Sequence, residues 1–259
     1  MCRLAAYIGP HIPLENIVTA PKHSLLFQSK DAHESKVSTN GDGFGIAWYG
    51  LGPEPGLYRD CLPAWSDENL LSLCRLVQAP LFIAHVRAST TGATMRANCH
   101  PFVYQNWSFA HNGQIGGFQT MQRPLEALLS DDLYQARQGS TDSELLFLLL
   151  LQFGLSESVD MACGKVISLL ESMRKKMFIT EPLRITVVAA NGTDLFALRY
   201  ASDQYSPSLY RSKQLDNGGI AIASEPLDSM RQNWVPILPS CIVTVSAGGV
   251  VLDRALSIS

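Results

Sequence analysis

Cys2 carries the most distinctive chemistry in this 259-residue chain, because removal of Met1 would leave a thiol and a free α-amine on one residue. An α-amine has a pKa of roughly 7.7 to 8.0, so near neutral pH a useful fraction is unprotonated and can take the thiol proton directly or through one water. Thiolates are strong nucleophiles even as a minority species, so a single residue would supply nucleophile and base. A Cys in second place is also what an arbitrary translation start provides. The rest of the chain has to separate the two readings.

Three further stretches hold groups that such a nucleophile would need. His85-Val86-Arg87-Ala88-Ser89-Thr90-Thr91-Gly92 combines a guanidinium with several hydroxyls. The planar fork of Arg87 pairs a carboxylate through two parallel hydrogen bonds, although an arginine there could equally hold a core acid or carbonyl. In His111-Asn112-Gly113-Gln114-Ile115, the Asn112 amide and the Gly113 N–H could converge on the oxygen of a tetrahedral intermediate. Asn-Gly is also the strongest short hairpin signal, and Asn112 alone favours a turn. Asp142, in Thr141-Asp142-Ser143-Glu144, would sit in the first turn of a helix, where the macrodipole favours an acid whatever its function and where it could receive a substrate ammonium.

These side chains must be positioned by strands and helices legible from periodicity. Residues 4–8 form an apolar run ending at Gly9-Pro10, which reads as a first strand with Cys2 at its open end. Residues 81–86 read as a buried strand delivering His85 and Arg87, and 107–111 as a strand broken at Asn112-Gly113. Helices are expected over 21–27, over 66–77 with Ser66 as N-cap, and over 118–129. Thr141 to Glu144 is a capping-box pattern before the apolar run 145–151, so a helix buried on most faces should start there; 158–176 is a second, amphipathic one. The polar stretch 28–39, with His33 and Glu34, reads as a solvated loop. Asn40-Gly41-Asp42-Gly43-Phe44-Gly45 reads as a tight glycine turn into strand 46–49; Ile46 stands where a dinucleotide motif needs glycine. After Glu181 come short β-like runs at 183–190, 195–200, 208–210, 219–223 and 241–245. Strands, then helices, then strands suggest an α+β layered sandwich of two helix-covered sheets, in a single domain over 1–259.

Composition narrows the class. A net charge of −3 with scattered Lys and Arg gives no basic field, so nucleic acid is not expected as a partner and small molecules are. Six widely spaced cysteines show no C-x-x-C pair and no Cys/His spacing suited to zinc, so they read as reduced thiols in a cytoplasmic protein with no metal site. Neither a leader pattern nor an apolar stretch long enough to cross a bilayer is visible, so no membrane association is expected.

A terminal Cys, then H-x-R-x-S-T-x-G, then H-N-G, then a Thr-Asp-Ser-Glu helix start resembles, in that order, the class II glutamine amidotransferase domains of the N-terminal nucleophile hydrolase superfamily. The resemblance implies a four-layer αββα sandwich. It implies Cys2 as nucleophile, with Asn112 and Gly113 as oxyanion hole. Arg87 would hold the α-carboxylate of glutamine, Asp142 its α-ammonium, and Thr90 would add a pocket hydroxyl; His100-Pro101-Phe102 matches a structural His-Pro stretch. No cofactor is called for.

The expected reaction is attack on the γ-amide of glutamine or a γ-glutamyl compound, giving a γ-glutamyl thioester that water hydrolyses. The larger family members fuse a synthase domain that uses the ammonia; this length fits the stand-alone subgroup, with a separate ammonia-accepting subunit as one partner reading. Ala88 stands where relatives often carry a bulky aromatic, which would suit a substrate larger than glutamine. A homodimer is compatible with the sequence but not fixed by it. The rival reading is a non-catalytic γ-glutamyl-binding or regulatory module, which applies if Met1 is retained and Cys2 is an internal thiol without its base.

Overall fold

The computed structural model describes residues 2–34, 39–89, 94–203 and 205–258. Its strands are β1 (Arg3–Pro13), β2 (Phe44–Tyr49), β3 (Gly56–Asp60), β4 (Gln78–Val86), β5 (Phe102–Tyr104), β6 (Trp107–Ile115), β7 (Leu183–Ala190), β8 (Asp194–Ala201), β9 (Tyr210–Ser212), β10 (Ile220–Ala223), β11 (Trp234–Pro236), β12 (Cys241–Ser246) and β13 (Val251–Ala255). Its helices are α1 (Glu15–Val18), α2 (Leu25–Lys30), α3 (Glu68–Leu76), α4 (Phe118–Glu126), α5 (Asp131–Ala136), α6 (Asp142–Gln152) and α7 (Val159–Lys176). One sheet runs β11-β9-β10-β1-β4-β2-β3, the other β13-β12-β8-β7-β6-β5. The described strand pairs are antiparallel.

Period-two alternation turns each central strand into a two-faced wall. On β1, Leu4, Ala6 and Ile8 join Ile83 of β4 and Val188 of β7 in a core between the sheets. Ala5 and Tyr7 point the other way, into a core with Ile17, Leu25 and Leu70 from α1, α2 and α3. The second sheet buries Phe109, Ile185 and Val187 against Leu146, Leu149 and Val166 of α6 and α7. Three apolar cores therefore separate four layers, helices, sheet, sheet, helices, and the αββα expectation is met. Tyr49 ties the sheets together, its hydroxyl lying 2.9 Å from the Ser108 hydroxyl and 2.7 Å from the Ala190 carbonyl.

Four local readings are corrected. Strand β6 does not break at Asn112-Gly113 but continues to Ile115, because Asn112 pairs with Thr186 and Gly113 with Ile185 of β7. β1 runs past Gly9-Pro10, a register shift between Ile8 and Ile12 absorbing the irregularity. The N-cap of α3 is Asp67, whose carboxylate accepts from Leu70 N at 2.7 Å, while the Ser66 hydroxyl donates to the Pro63 carbonyl. In the supposed loop 28–39, helix α2 extends to Lys30, capped by Ser24.

Candidate active site

Strand parity sets Cys2 and Asn112 on the inner faces of the two sheets. Cys2 has the parity of Leu4 and Ala6, and Asn112 that of Ala110, all of which face the inter-sheet core. Antiparallel pairing of Arg3 with Val86 sets the start of β1 beside the end of β4, so Cys2 lands next to the segment that carries Arg87. The Ala88 N–H donates to Cys2 Sγ at 3.4 Å, and the thiol lies 3.6 Å from the Ala88 carbonyl. Burial pushes the Cys2 thiol above its usual value; the Ala88 amide and the guanidinium groups of Arg87 and Arg3 pull it back only in part. A thiol so placed needs a base.

Arg87 is 4% exposed. Its backbone is clasped by the glycine turn read from sequence as a hairpin. Arg87 N donates to the Gly43 carbonyl at 2.8 Å and Asp42 N to the Arg87 carbonyl at 3.0 Å, while the guanidinium donates to the Asp42 carbonyl at 3.4 Å. The Asp42 carboxylate accepts from Ser89 N at 2.7 Å. Gly43 is needed here: at φ 117° a Cβ would come 2.5 Å from Cys99 Sγ. Sequence reasoning missed Asp42; its only signal was an acid inside a glycine turn. Thr90 lies outside the described residues.

On the facing sheet, Asn112 is fully buried and, among the described residues, neither its amide nitrogen nor its oxygen has a hydrogen-bond partner. Such groups are rare, because leaving a buried polar group unpaired costs about 1 to 3 kcal/mol. Gly113 is required by close approach, since a Cβ would come 1.8 Å from the Arg184 carbonyl. That carbonyl also accepts from His111 Nε2 at 3.3 Å, which leaves Nδ1 to face the Ser143 hydroxyl at 2.8 Å. Burial holds the His111 imidazole neutral by lowering its pKa, against the opposing pull of Asp142.

Asp142 opens α6 as expected, and Thr141 caps the helix by accepting from Glu144 N at 3.1 Å. The reciprocal half of the capping box is absent: the Glu144 carboxylate instead accepts from Gln138 N and Gly139 N, fixing the approach loop. One Asp142 oxygen accepts from Ile115 N at 2.9 Å, and the other lies 3.2 Å from the Ser143 hydroxyl, whose one proton it shares with His111 Nδ1. Asp142, Thr141, Gly113 and Gln114 line a common cavity of about 500 Å³. Cys2 and Arg87 meet each other near Ala88 but are not among the residues lining that cavity.

With this geometry in view, the sequence profile of the family described as "Glutamine amidotransferases class-II" matches residues 16–213. The chain belongs to the class II glutamine amidotransferase family. It is 31% identical over 303 residues to "Probable glutamine amidotransferase DUG3" of Saccharomyces cerevisiae, covering 97% of this chain and 84% of that one. A solved glutamine aminotransferase class-II domain protein from Silicibacter pomeroyi is 36% identical, with a TM-score of 0.78 over 99% of this chain and 100% of that one. The glutamine phosphoribosylpyrophosphate amidotransferase of B. subtilis shares the fold, with a TM-score of 0.62 at 17% identity; all of this chain matches half of that one. Among the described residues no helix is long and apolar enough to cross a membrane. Homologues in this family are enzymes.

Proposed function

We propose that the chain hydrolyses the γ-amide of glutamine or of a γ-glutamyl compound, with Cys2 as nucleophile once Met1 is removed. The observation that carries this reading is the Asn112 carboxamide, fully buried and unpartnered on the inter-sheet face that Cys2 shares. Donors poised before charge develops are the economical way to hold an oxyanion, since no reorganisation accompanies the reaction.

The free α-amine of Cys2 takes the thiol proton as Sγ bonds to the amide carbon, and the carbonyl oxygen becomes an oxyanion held by Asn112 and Gly113. Collapse breaks the C–N bond, and the proton on the α-amine passes to the departing ammonia or amine. Water then adds to the thioester, its hydroxyl going to the acyl carbon and its proton returning to sulfur. Arg87 binds the substrate α-carboxylate, Asp142 its α-ammonium, and Thr90 adds a pocket hydroxyl. The raised thiol pKa supports a need for the terminal amine, because the thiol is not self-activated. The ammonia acceptor, on this reading, is a separate subunit, or the released product is simply an amine.

Intact-protein mass spectrometry before and after 6-diazo-5-oxonorleucine, which alkylates a thiol poised at the γ-carbonyl position, tests the proposal. One adduct on Cys2, blocked by glutamine and lost in Arg87→Ala, is the expected result. No adduct on protein whose mass shows Met1 removed would move the assignment to a non-catalytic γ-glutamyl-binding module. Rates on glutamine against larger γ-glutamyl amides then choose the substrate.

A further inference from the structure

A second cluster of reactive groups lies on the opposite, helix-covered face of β1. His23, His33 and Glu225 offer ligand atoms that all lie within 4.8 Å of one another. They open on a cavity of about 410 Å³ whose wall also carries Lys22, Glu34, Asp228 and Arg231. Nothing in the linear spacing announces them, since Glu225 is 202 residues from His23 and 192 from His33.

The carboxylate is already fixed as a ligand would need to be. One Glu225 oxygen accepts from the buried Arg3 guanidinium at 3.1 Å and from Glu34 N at 2.9 Å. The other accepts from His33 N at 3.1 Å and faces His23 Nε2 at 2.9 Å. Metal-binding carboxylates are typically oriented by such outer hydrogen bonds. Burial raises the Glu225 pKa, but the Glu34 amide, His23 and Arg3 outweigh it and keep the group ionised.

The two imidazoles stand side by side, ring centroids 4.6 Å apart, before this single carboxylate. A divalent cation shared by two neutral imidazoles and the carboxylate satisfies all three.

We propose that His23, His33 and Glu225 form a three-ligand site for a divalent cation of the zinc class. Two imidazole nitrogens and a carboxylate are a donor set that suits Zn²⁺ and leaves a fourth position open, here toward the cavity, for water or an anionic ligand. Ligands 2.0 to 2.1 Å from a tetrahedral ion stand about 3.3 Å from one another. Drawing in atoms that lie within 4.8 Å of one another requires His33 to swing inward; its side chain is 58% exposed, with its ring beside His23 and edge-on to Phe27. Asp31, with an oxygen 3.7 Å from His33 Nε2, adds negative charge at the rim. Arg3 links the site to the nucleophile, because its Nε donates to the Cys2 carbonyl at 2.7 Å while its other arm holds Glu225. The site itself does not depend on the reaction assigned to Cys2.

The test is calorimetric titration of the chelator-treated full chain with Zn²⁺, together with Co²⁺ absorption spectra. One ion per chain is expected, with affinity weakened at least about tenfold in His33→Ala and in His23→Gln and unchanged in Cys2→Ser. The Co²⁺ complex should lack a thiolate charge-transfer band. Unchanged affinity in His33→Ala, a thiolate band, or no retained metal in the wild type would each overturn the site. His33→Ala removes an exposed side chain, so it keeps the test valid if His23→Gln fails to fold.

Discussion

The two strands that bring the candidate site together treat their polar groups in opposite ways. At the start of β1, Arg3 is fully buried with its Nε on the Cys2 carbonyl and one terminal nitrogen on Glu225, so that only its other terminal nitrogen lacks a partner among the described residues. At the end of β6, Asn112 is just as buried and bonded to nothing among the described residues. A buried polar group held by several protein partners is part of the scaffold. One left bare lowers stability and persists where a ligand supplies the missing partner. The contrast predicts that the two residues fail in different currencies when mutated.

Arg3→Met should damage the fold first. Breaking a buried ion pair by removing one partner costs about 3 to 5 kcal/mol, and the low end applies because Glu225 keeps two backbone donors. Urea unfolding would show it; a loss under about 1 kcal/mol would mean that Arg3 is dispensable to the scaffold and the contrast false. Asn112→Ala should do the reverse, lowering kcat for γ-glutamyl amide hydrolysis by about 10² to 10³. Its unfolding free energy should stay within about 1 kcal/mol of wild type, because the lost amide took no bond with it. A large stability loss with normal kcat would return Asn112 to the scaffold.

Two buried histidines sharpen what a bare group does to stability. His85 and His100 lie with ring centroids 4.2 Å apart and planes tilted by 36°, and neither His100 ring nitrogen has a partner among the described residues. Burial is the main cause that drives His85 down to about 3 and His100 well below its ordinary value, with neighbouring imidazoles and Arg87 adding to it. Unfolded histidines titrate near 6.5, so below that pH the unfolded chain takes up protons that the native pair does not. Stability is therefore complete above about pH 6.5 and falls as pH drops toward 3. Carboxylates such as Glu225 enter only lower, below the ordinary value of 4.5. Urea midpoints that stay flat from pH 6.5 to 5 would show the pair to be solvated or charged.

Much of this arrangement was legible where the deciding interactions are local. The apolar runs gave the strands that lead to Cys2, Arg87 and Asn112, and the Thr141 cap gave the start of α6. Asn112-Gly113 misled because the same dipeptide that suits a hairpin also suits a strand whose glycine meets a neighbouring carbonyl, and only the pairing with β7 decides. Ser66 and Asp67 are both good caps, and one residue of register separates them. Asp42 was hidden because its partner Ser89 is 47 residues away. His33 and Glu34 read as solvated loop, yet their amides bind Glu225 and they line a cavity, through contacts spanning 192 and 191 residues that no local pattern encodes.

The gentlest test concerns Asp142, which opens α6 beside the second sheet and differs from Asn112 in being held by protein. Its position depends on the first turn of α6, where Thr141 accepts from Glu144 N and Ile115 N donates to the Asp142 carboxylate. Thr141→Ala removes the cap and should cost about 1 kcal/mol of stability, within the usual range for such losses. A frayed first turn leaves Asp142 less well aimed at a substrate ammonium, while Cys2, Asn112 and Gly113 on their strands are untouched. KM for substrates with a free α-amine should then rise a few-fold with kcat nearly constant, because binding common to ground and transition states is what has been lost. A fall in kcat at constant KM would place Asp142 in the chemical step instead, and would erase the distinction between the groups that β6 leaves bare and those that the helix holds.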